Sequence, residues 1–120
     1  MNNIIIIIPT LNEKKNIKIL FDKLTTTNIR FDLLFIDDNS SDGSQEEIKG
    51  LAKNNQNINY IFRPQKMGVG SAHKDGFIWA YKKHYKTIIT MDADGTHDSK
   101  YLKYLIEKLQ KIGRAHVWTP

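Results

Sequence analysis

The chain has 120 residues, enough for one domain of ordinary size. With 40% hydrophobic and 26% charged residues it reads as globular rather than disordered, and the absence of cysteine excludes a disulfide scaffold, a Cys-ligated metal site and a thiol nucleophile. Its 18 Lys and Arg against 13 Asp and Glu leave a net charge of +5, compatible with nucleic acid, anionic lipid or phosphorylated small molecules and selecting none of them.

The longest purely apolar run, Ile4 to Ile8, falls well short of the roughly 18–20 residues that span a bilayer. Its position and the proline after it also argue against a signal peptide. Asn3–Ile8, β-branched from Ile4 onward, predicts a buried strand that Pro9 stops. Asn12 is expected to cap a helix on which Ile17, Leu20, Phe21 and Leu24 form one apolar stripe. Phe31–Ile36 predicts a second strand, followed by the turn-rich Asp37-Asp38-Asn39-Ser40-Ser41-Asp42-Gly43. Ser44 with Glu47 fits a capping box for a helix carrying Ile48, Leu51 and Ala52. Ile58–Phe62 predicts a third strand. Gly68-Val69-Gly70-Ser71 then leads into a helix with Ala72, Phe77 and Ala80. Thr87–Met91 predicts a fourth strand, and Asp98 or Ser99 caps a last helix carrying Leu102, Leu105, Ile106 and Leu109.

The order βαβαβαβα predicts a mainly parallel sheet with helices on its faces. Ligands of such sheets bind beyond the carboxyl ends of the strands. There the sequence concentrates Thr10, Asn12 and Glu13, then Asp37 and Asp38, then Asp92 and Asp94. Five carboxylates from distant parts of the chain would share one edge, and crowded anions need a cation. Oxygen donors without cysteine favour Mg²⁺ or Mn²⁺. Asp92-Ala93-Asp94 is the sharpest element, because two carboxylates at a strand end can divide their work between a metal and a ligand hydroxyl. Asp38 suits a base N–H or ribose hydroxyl. Asp42-Gly43 reads as turn and helix entry.

Gly68-Val69-Gly70-Ser71 departs from the phosphate-loop pattern, since its lysine, Lys66, precedes the glycines. It reads first as a tight turn and close helix packing. His97 is a candidate for a capping role or one near the metal, while His73 and His84 are expected on a helix and partly exposed. Trp79 and the tyrosines read as packing residues, and Lys82, Lys83, Lys86, Lys100 and Lys103 as a solvated basic face.

Four pieces in order resemble the family 2 glycosyltransferases of GT-A fold, above all the polyprenol-phosphate or dolichol-phosphate mannosyltransferase branch. They are Ile8-Pro9-Thr10-Leu11-Asn12-Glu13, Ile36 to Gly43, Gly68 to Ala72, and Met91-Asp92-Ala93-Asp94-Gly95-Thr96-His97. The resemblance covers about residues 3–110. It implies an α/β, Rossmann-like nucleotide-diphospho-sugar transferase fold, truncated, with residues 1–111 forming the N-terminal nucleotide-sugar-binding part. Residues 112–120 look instead like the translation of a sequencing-library adapter and are expected to be a non-native tail.

By position, the resemblance puts Pro9, Leu11 and Glu13 in the nucleotide pocket and Ile36 and Asp38 at the base and ribose. Asp92, Ala93 and Asp94 would run along ribose and diphosphate, with Asp92 and Asp94 catalytic. The metal would sit on Asp94 and on Thr96, where the family often has glutamine or serine. Leu11 replaces a frequent tyrosine.

The implied reaction is inverting transfer of a sugar, mannose or glucose, from a GDP-mannose or UDP-glucose type of donor to a polyprenyl or dolichyl phosphate or another acceptor. It would depend on Mg²⁺ or Mn²⁺, with no nucleic-acid partner. The expected setting is cytoplasmic, at the cytoplasmic face of a membrane, with peripheral association. The fragment alone is expected to be inactive. The alternatives are a nucleotidyltransferase and a non-catalytic phospho-receiver domain. The first would usually carry a Gly-rich basic loop where Pro9–Glu13 stand; the second needs a lone aspartate after strand three, where Phe62-Arg63-Pro64 stand.

Overall fold

A computed structural model describes residues 2–27, 29–94, 103–104 and 107–108, and the backbone of 116–118. Strand β1 (Ile4–Thr10) leads to α1 (Lys14–Thr25), β2 (Asp32–Asp38), α2 (Ser44–Asn54), β3 (Ile58–Arg63), α3 (Val69–Lys82), β4 (Thr87–Thr90) and β5 (His116–Trp118). The strands form one sheet in the order β3-β2-β1-β4-β5, and every pair is parallel. The strand order reverses between β1 and β4, which is the topological switch point of an open α/β sheet.

That order overturns the phospho-receiver alternative. A receiver sheet runs 2-1-3-4-5, with its third strand beside the first. Here β3 lies outside β2, and it ends in Arg63 rather than an aspartate.

β1 has no polar face because it is covered on both sides. Ile4, Ile6 and Ile8 join Leu33 and Phe35 beneath the α1 stripe of Ile17, Leu20, Phe21 and Leu24 and beneath Ile48 of α2. Ile5 and Ile7 join Leu34, Ile36 and Ile88 beneath α3. The α3 face that meets the sheet is made of Ala72, Gly76 and Ala80, at every fourth position. A Cβ at Gly76 would lie 2.6 Å from Cγ2 of Ile7 and 2.9 Å from Cδ1 of Ile36. The close packing expected of the Gly68–Gly70 segment is therefore supplied by Gly76, and Gly68 instead makes the turn, at φ 95°.

Three local expectations are corrected. Pro9 does not end β1, which runs on to Thr10 with Pro9 opposite Ile36. The Ile7 carbonyl accepts from Met91 N–H, so alternate residues face β4. β4 ends at Thr90, opposite Ile7, so Pro9 lies beyond the paired register of β1 with β4 and its missing N–H interrupts none of it. Asn12 does not cap α1; Glu13 holds that position, and Asn12 sits at φ 54° with its side chain turned to the next loop. Ser44 is the first residue of α2 rather than its cap. Asp42 Oδ1 accepts from the Ser44 N–H at 2.9 Å and from its hydroxyl at 2.6 Å, with Gly43 at φ 97° between them. Asp42-Gly43 is turn and helix entry, as expected.

His73 is half-buried on α3, whereas His84 lies beyond the helix at φ 67° and is exposed. No strand was expected at 116–118. The open edge of β4 offers a row of backbone groups that pairs with any extended segment, whatever its apolar pattern. The expected helix of Leu102, Leu105, Ile106 and Leu109 lies outside the described residues, apart from helical backbone at 103–104 and 107–108.

Candidate functional site

A cavity of ≈ 280 Å³ opens at the carboxyl ends of β1, β2 and β4. β1 and the turn after it contribute Pro9, Thr10, Leu11 and Glu13; β2 contributes Asp38. Lys66, Gly68 and Val69 come from the turn into α3, and Asp92, Ala93 and Asp94 from the segment that follows β4. This is the crevice where open α/β sheets bind ligands.

The two loops behind the cavity are stitched together. Asn12 N–H donates to Ser40 Oγ at 2.8 Å, and Ser41 N–H donates to Asn12 Oδ1 at 2.9 Å. Glu13 N–H donates to Ser44 Oγ at 3.0 Å and Lys14 N–H to Asp42 Oδ2 at 3.1 Å. The bonds of Glu13 and Lys14 give partners to N–H groups where α1 begins. They fix Glu13 at the cavity wall, and Asn16 Nδ2 donates to Glu13 Oε2 at 2.8 Å. Much of the Asp37–Gly43 motif is therefore a brace for the β1–α1 turn.

Of the five carboxylates expected at one edge, four line the cavity: Glu13, Asp38, Asp92 and Asp94. Asp37 does not. It is fully buried and accepts from Thr10 Oγ1 at 2.6 Å, Ser40 Oγ at 2.6 Å, Ser40 N–H at 2.9 Å and Gln45 Nε2 at 2.9 Å. Strand alternation turns Asp37 to the α1–α2 face and Asp38 to the α3 face.

Asp38 is held by a residue the sequence reading passed over. Arg63 Nε meets Asp38 Oδ1 at 2.5 Å and Nη2 meets Oδ2 at 2.9 Å, with both side chains buried. The other guanidinium donors reach Ser71 Oγ, Asp75 Oδ2 and the Gly68 carbonyl, at 2.8, 3.0 and 3.1 Å. All five N–H groups of the fork are thus used. Asp38 Oδ2 also accepts from the N–H groups of Met67 and Gly68, at 3.0 and 3.1 Å. Burial pushes the Asp38 carboxyl up, but the Arg63 hydrogen bonds, the two backbone N–H groups and the Arg63 charge outweigh it. The net shift is downward. The one signal for this pair in the sequence was an arginine at a strand end level with an aspartate, and it becomes visible only once Asp38 and Arg63 are in register.

Ile36, expected beside a base, is fully buried under α3 and is not among the lining residues. Pro9, Leu11 and Ala93 line the cavity as expected. Thr96 and His97 lie outside the described residues. Among the described residues no three His, Asp or Glu side chains gather into a metal cage. The donor set still fits Mg²⁺ or Mn²⁺, which take one or two carboxylates and fill their other positions with water and phosphate oxygens. Asp92 and Asp94 are exposed at the cavity and supply such oxygens.

Residues 5–120 match the family described as Glycosyl transferase family 2. The chain is 31% identical over 107 residues to an undecaprenyl-phosphate mannosyltransferase of Micrococcus luteus, covering 89% of this chain and 44% of that protein. It is 31% identical over 104 residues to a polyprenol monophosphomannose synthase of Mycolicibacterium smegmatis, covering 86% and 39%. It is 36% identical over 109 residues to a dolichol-phosphate mannosyltransferase of Saccharomyces cerevisiae, covering 87% and 40%. The chain thus spans less than half the length of these relatives. Its fold matches a mannosyltransferase of Pyrobaculum calidifontis solved in complex with GDP-Man and Mn²⁺, with a TM-score of 0.68 and 19% identity over 86% of this chain and 32% of that one.

Proposed function

This chain belongs to glycosyltransferase family 2, has the GT-A type of fold, and from that premise we propose that it is the donor-binding part of an inverting mannosyltransferase acting on a polyprenyl or dolichyl phosphate. The observation that carries the reading is the gathering of Glu13, Asp38, Asp92 and Asp94 around one cavity at the switch point of the sheet. Relatives with 31–36% identity are named for mannose transfer to lipid phosphates, which supports mannose over glucose and a lipid phosphate as acceptor.

In this reading Pro9, Leu11 and Glu13 flank the nucleotide, and Asp92, Ala93 and Asp94 run beside ribose and diphosphate. Asp38 acts chiefly through the turn it holds, because its carboxylate is engaged by Arg63, Met67 and Gly68. Asp94 would hold a divalent cation, Mn²⁺ or Mg²⁺, which would supply charge neutralisation at the leaving diphosphate. An oxygen of the acceptor phosphate attacks the anomeric carbon of the donor sugar from the face opposite the leaving diphosphate. The new C1–O bond forms as the C1–O bond to the diphosphate breaks, and the electron pair leaves with the nucleoside diphosphate. A phosphate is already anionic at neutral pH, so the attack needs no strong general base.

Such an acceptor lies in a bilayer, and peripheral membrane association belongs to the same proposal. No described helix is long and apolar enough to cross a membrane. The outer face of α3 instead exposes Phe77, Ile78 and Tyr81 between Lys74 and Lys82, an apolar and basic mixture suited to an anionic surface.

Calorimetric titration of the 120-residue chain with GDP and with UDP, each with and without Mn²⁺, tests the reading. Metal-dependent binding of GDP in preference to UDP is expected, and absence of metal-dependent binding of either nucleotide overturns it.

A further inference from the structure

We propose that Lys66 is a phosphate-binding residue of the cavity, held at its rim by the buried Asp38–Arg63 clamp. The inference rests on the nucleotide-sugar reading above and adds a residue to it. Glu13, Asp92 and Asp94 place three carboxylates on the cavity wall, and the Asp38 carboxylate beside them pairs with Arg63. A phosphate group entering that wall is repelled unless cations meet it. Among the described residues lining the cavity, Lys66 is the one cation. Its side chain forms no ion pair among the described residues, so its ammonium is available to a ligand.

The backbone around Lys66 is fixed on both sides. Arg63, three residues before it, grips Asp38 through two hydrogen bonds. Met67 and Gly68, directly after it, donate their N–H groups to the same carboxylate, and the Gly68 carbonyl accepts from Arg63. Ser71 and Asp75 tie the guanidinium to the first turns of α3. One buried ion pair thus closes the turn between β3 and α3, leaving Lys66 as an exposed residue between two anchored points. Little backbone entropy is left to lose when its ammonium meets a phosphate, which is the advantage of preorganisation. Lysine serves such a site as a point charge.

Two sources offer the same chemistry, the donor's diphosphate and a lipid phosphate. The test titrates the 120-residue chain, in Mn²⁺, with GDP in one arm and farnesyl phosphate in the other, using wild type, Lys66→Met and Lys66→Arg. Lys66→Met is expected to weaken at least one ligand by about tenfold, as loss of a charged hydrogen bond implies, and to flatten the salt dependence of that binding. Lys66→Arg is expected to restore most of it. Loss confined to GDP assigns the donor phosphate, and loss confined to farnesyl phosphate assigns the acceptor. Lys66 is exposed, so an unchanged thermal midpoint should accompany either result. If the wild type binds GDP and Lys66→Met weakens neither GDP nor farnesyl phosphate binding, this inference alone is overturned. A wild type that binds neither ligand overturns the inference together with the functional reading beneath it.

Discussion

Asp37 and Asp38 are adjacent in the chain and serve opposite faces of the sheet. Asp37 is sealed under α2 by Thr10, Ser40 and Gln45, whereas Asp38 reaches the α3 side and closes on Arg63. A motif that looks uniformly acidic is thus divided by strand alternation into one brace for the β1–α1 turn and one anchor for the β3–α3 turn. Both loops that face the cavity depend on this division.

Arg63→Met should destabilise the fold strongly. It leaves the Asp38 carboxylate buried without its cationic partner and removes the donor to the Ser71 hydroxyl, while the Gly68 carbonyl keeps only the Ala72 N–H. Removing one partner of a buried pair costs about 3–5 kcal/mol. Urea denaturation should show a correspondingly lower midpoint, and an unchanged midpoint would mean that the clamp contributes nothing to stability.

Gly76 and Gly50 should respond oppositely to alanine. At Gly76 the new methyl meets Ile7 and Ile36 across the helix–sheet contact, whereas at Gly50 on α2 nothing lies within 4 Å. Overpacking costs roughly 1–3 kcal/mol, and alanine returns about 1 kcal/mol of helix propensity at either site. Gly50→Ala should therefore raise the thermal midpoint and Gly76→Ala lower it.

Acid should unfold the protein partly through Asp38. Its carboxyl lies below the ordinary 3.8 in the fold, so the unfolded chain takes up the proton more readily. The stability it contributes is complete above the ordinary carboxylate range and is lost as pH falls through the lowered value. Asp42, lowered mainly by the Ser44 hydroxyl, acts in the same direction. Urea midpoints measured downward from about pH 5 should fall steeply, and Arg63→Met should flatten that slope.

Asp37→Asn and Asp94→Ala should separate support from chemistry. The first replaces an acceptor of four hydrogen bonds in a buried site and should cost about 2 kcal/mol or more. The second alters an exposed cavity residue and should leave the protein folded while abolishing metal-dependent GDP binding. Retained metal-dependent binding in Asp94→Ala would move the cation elsewhere.

Local pattern was sufficient for the alternation of strands and helices, the isoleucine strand buried on both faces, the α1 stripe and the convergence of Glu13, Asp38, Asp92 and Asp94 on one rim. Each depends on period and chain order, which any single sequence displays. The partners of those residues were not legible, because they are set by register and by the packing of segments far apart in the chain. Arg63 meets Asp38 only because β2 and β3 align those two positions. Gly76 matters only because α3 lies against Ile7 and Ile36. Asn12 leaves the cap of α1 because a neighbouring loop offers its side chain a better partner. Composition and period determined which edge of the sheet would be acidic; the tertiary structure decided which of those acids brace the protein and which line the cavity, since a carboxylate's role follows from the donors brought within hydrogen-bond reach of it.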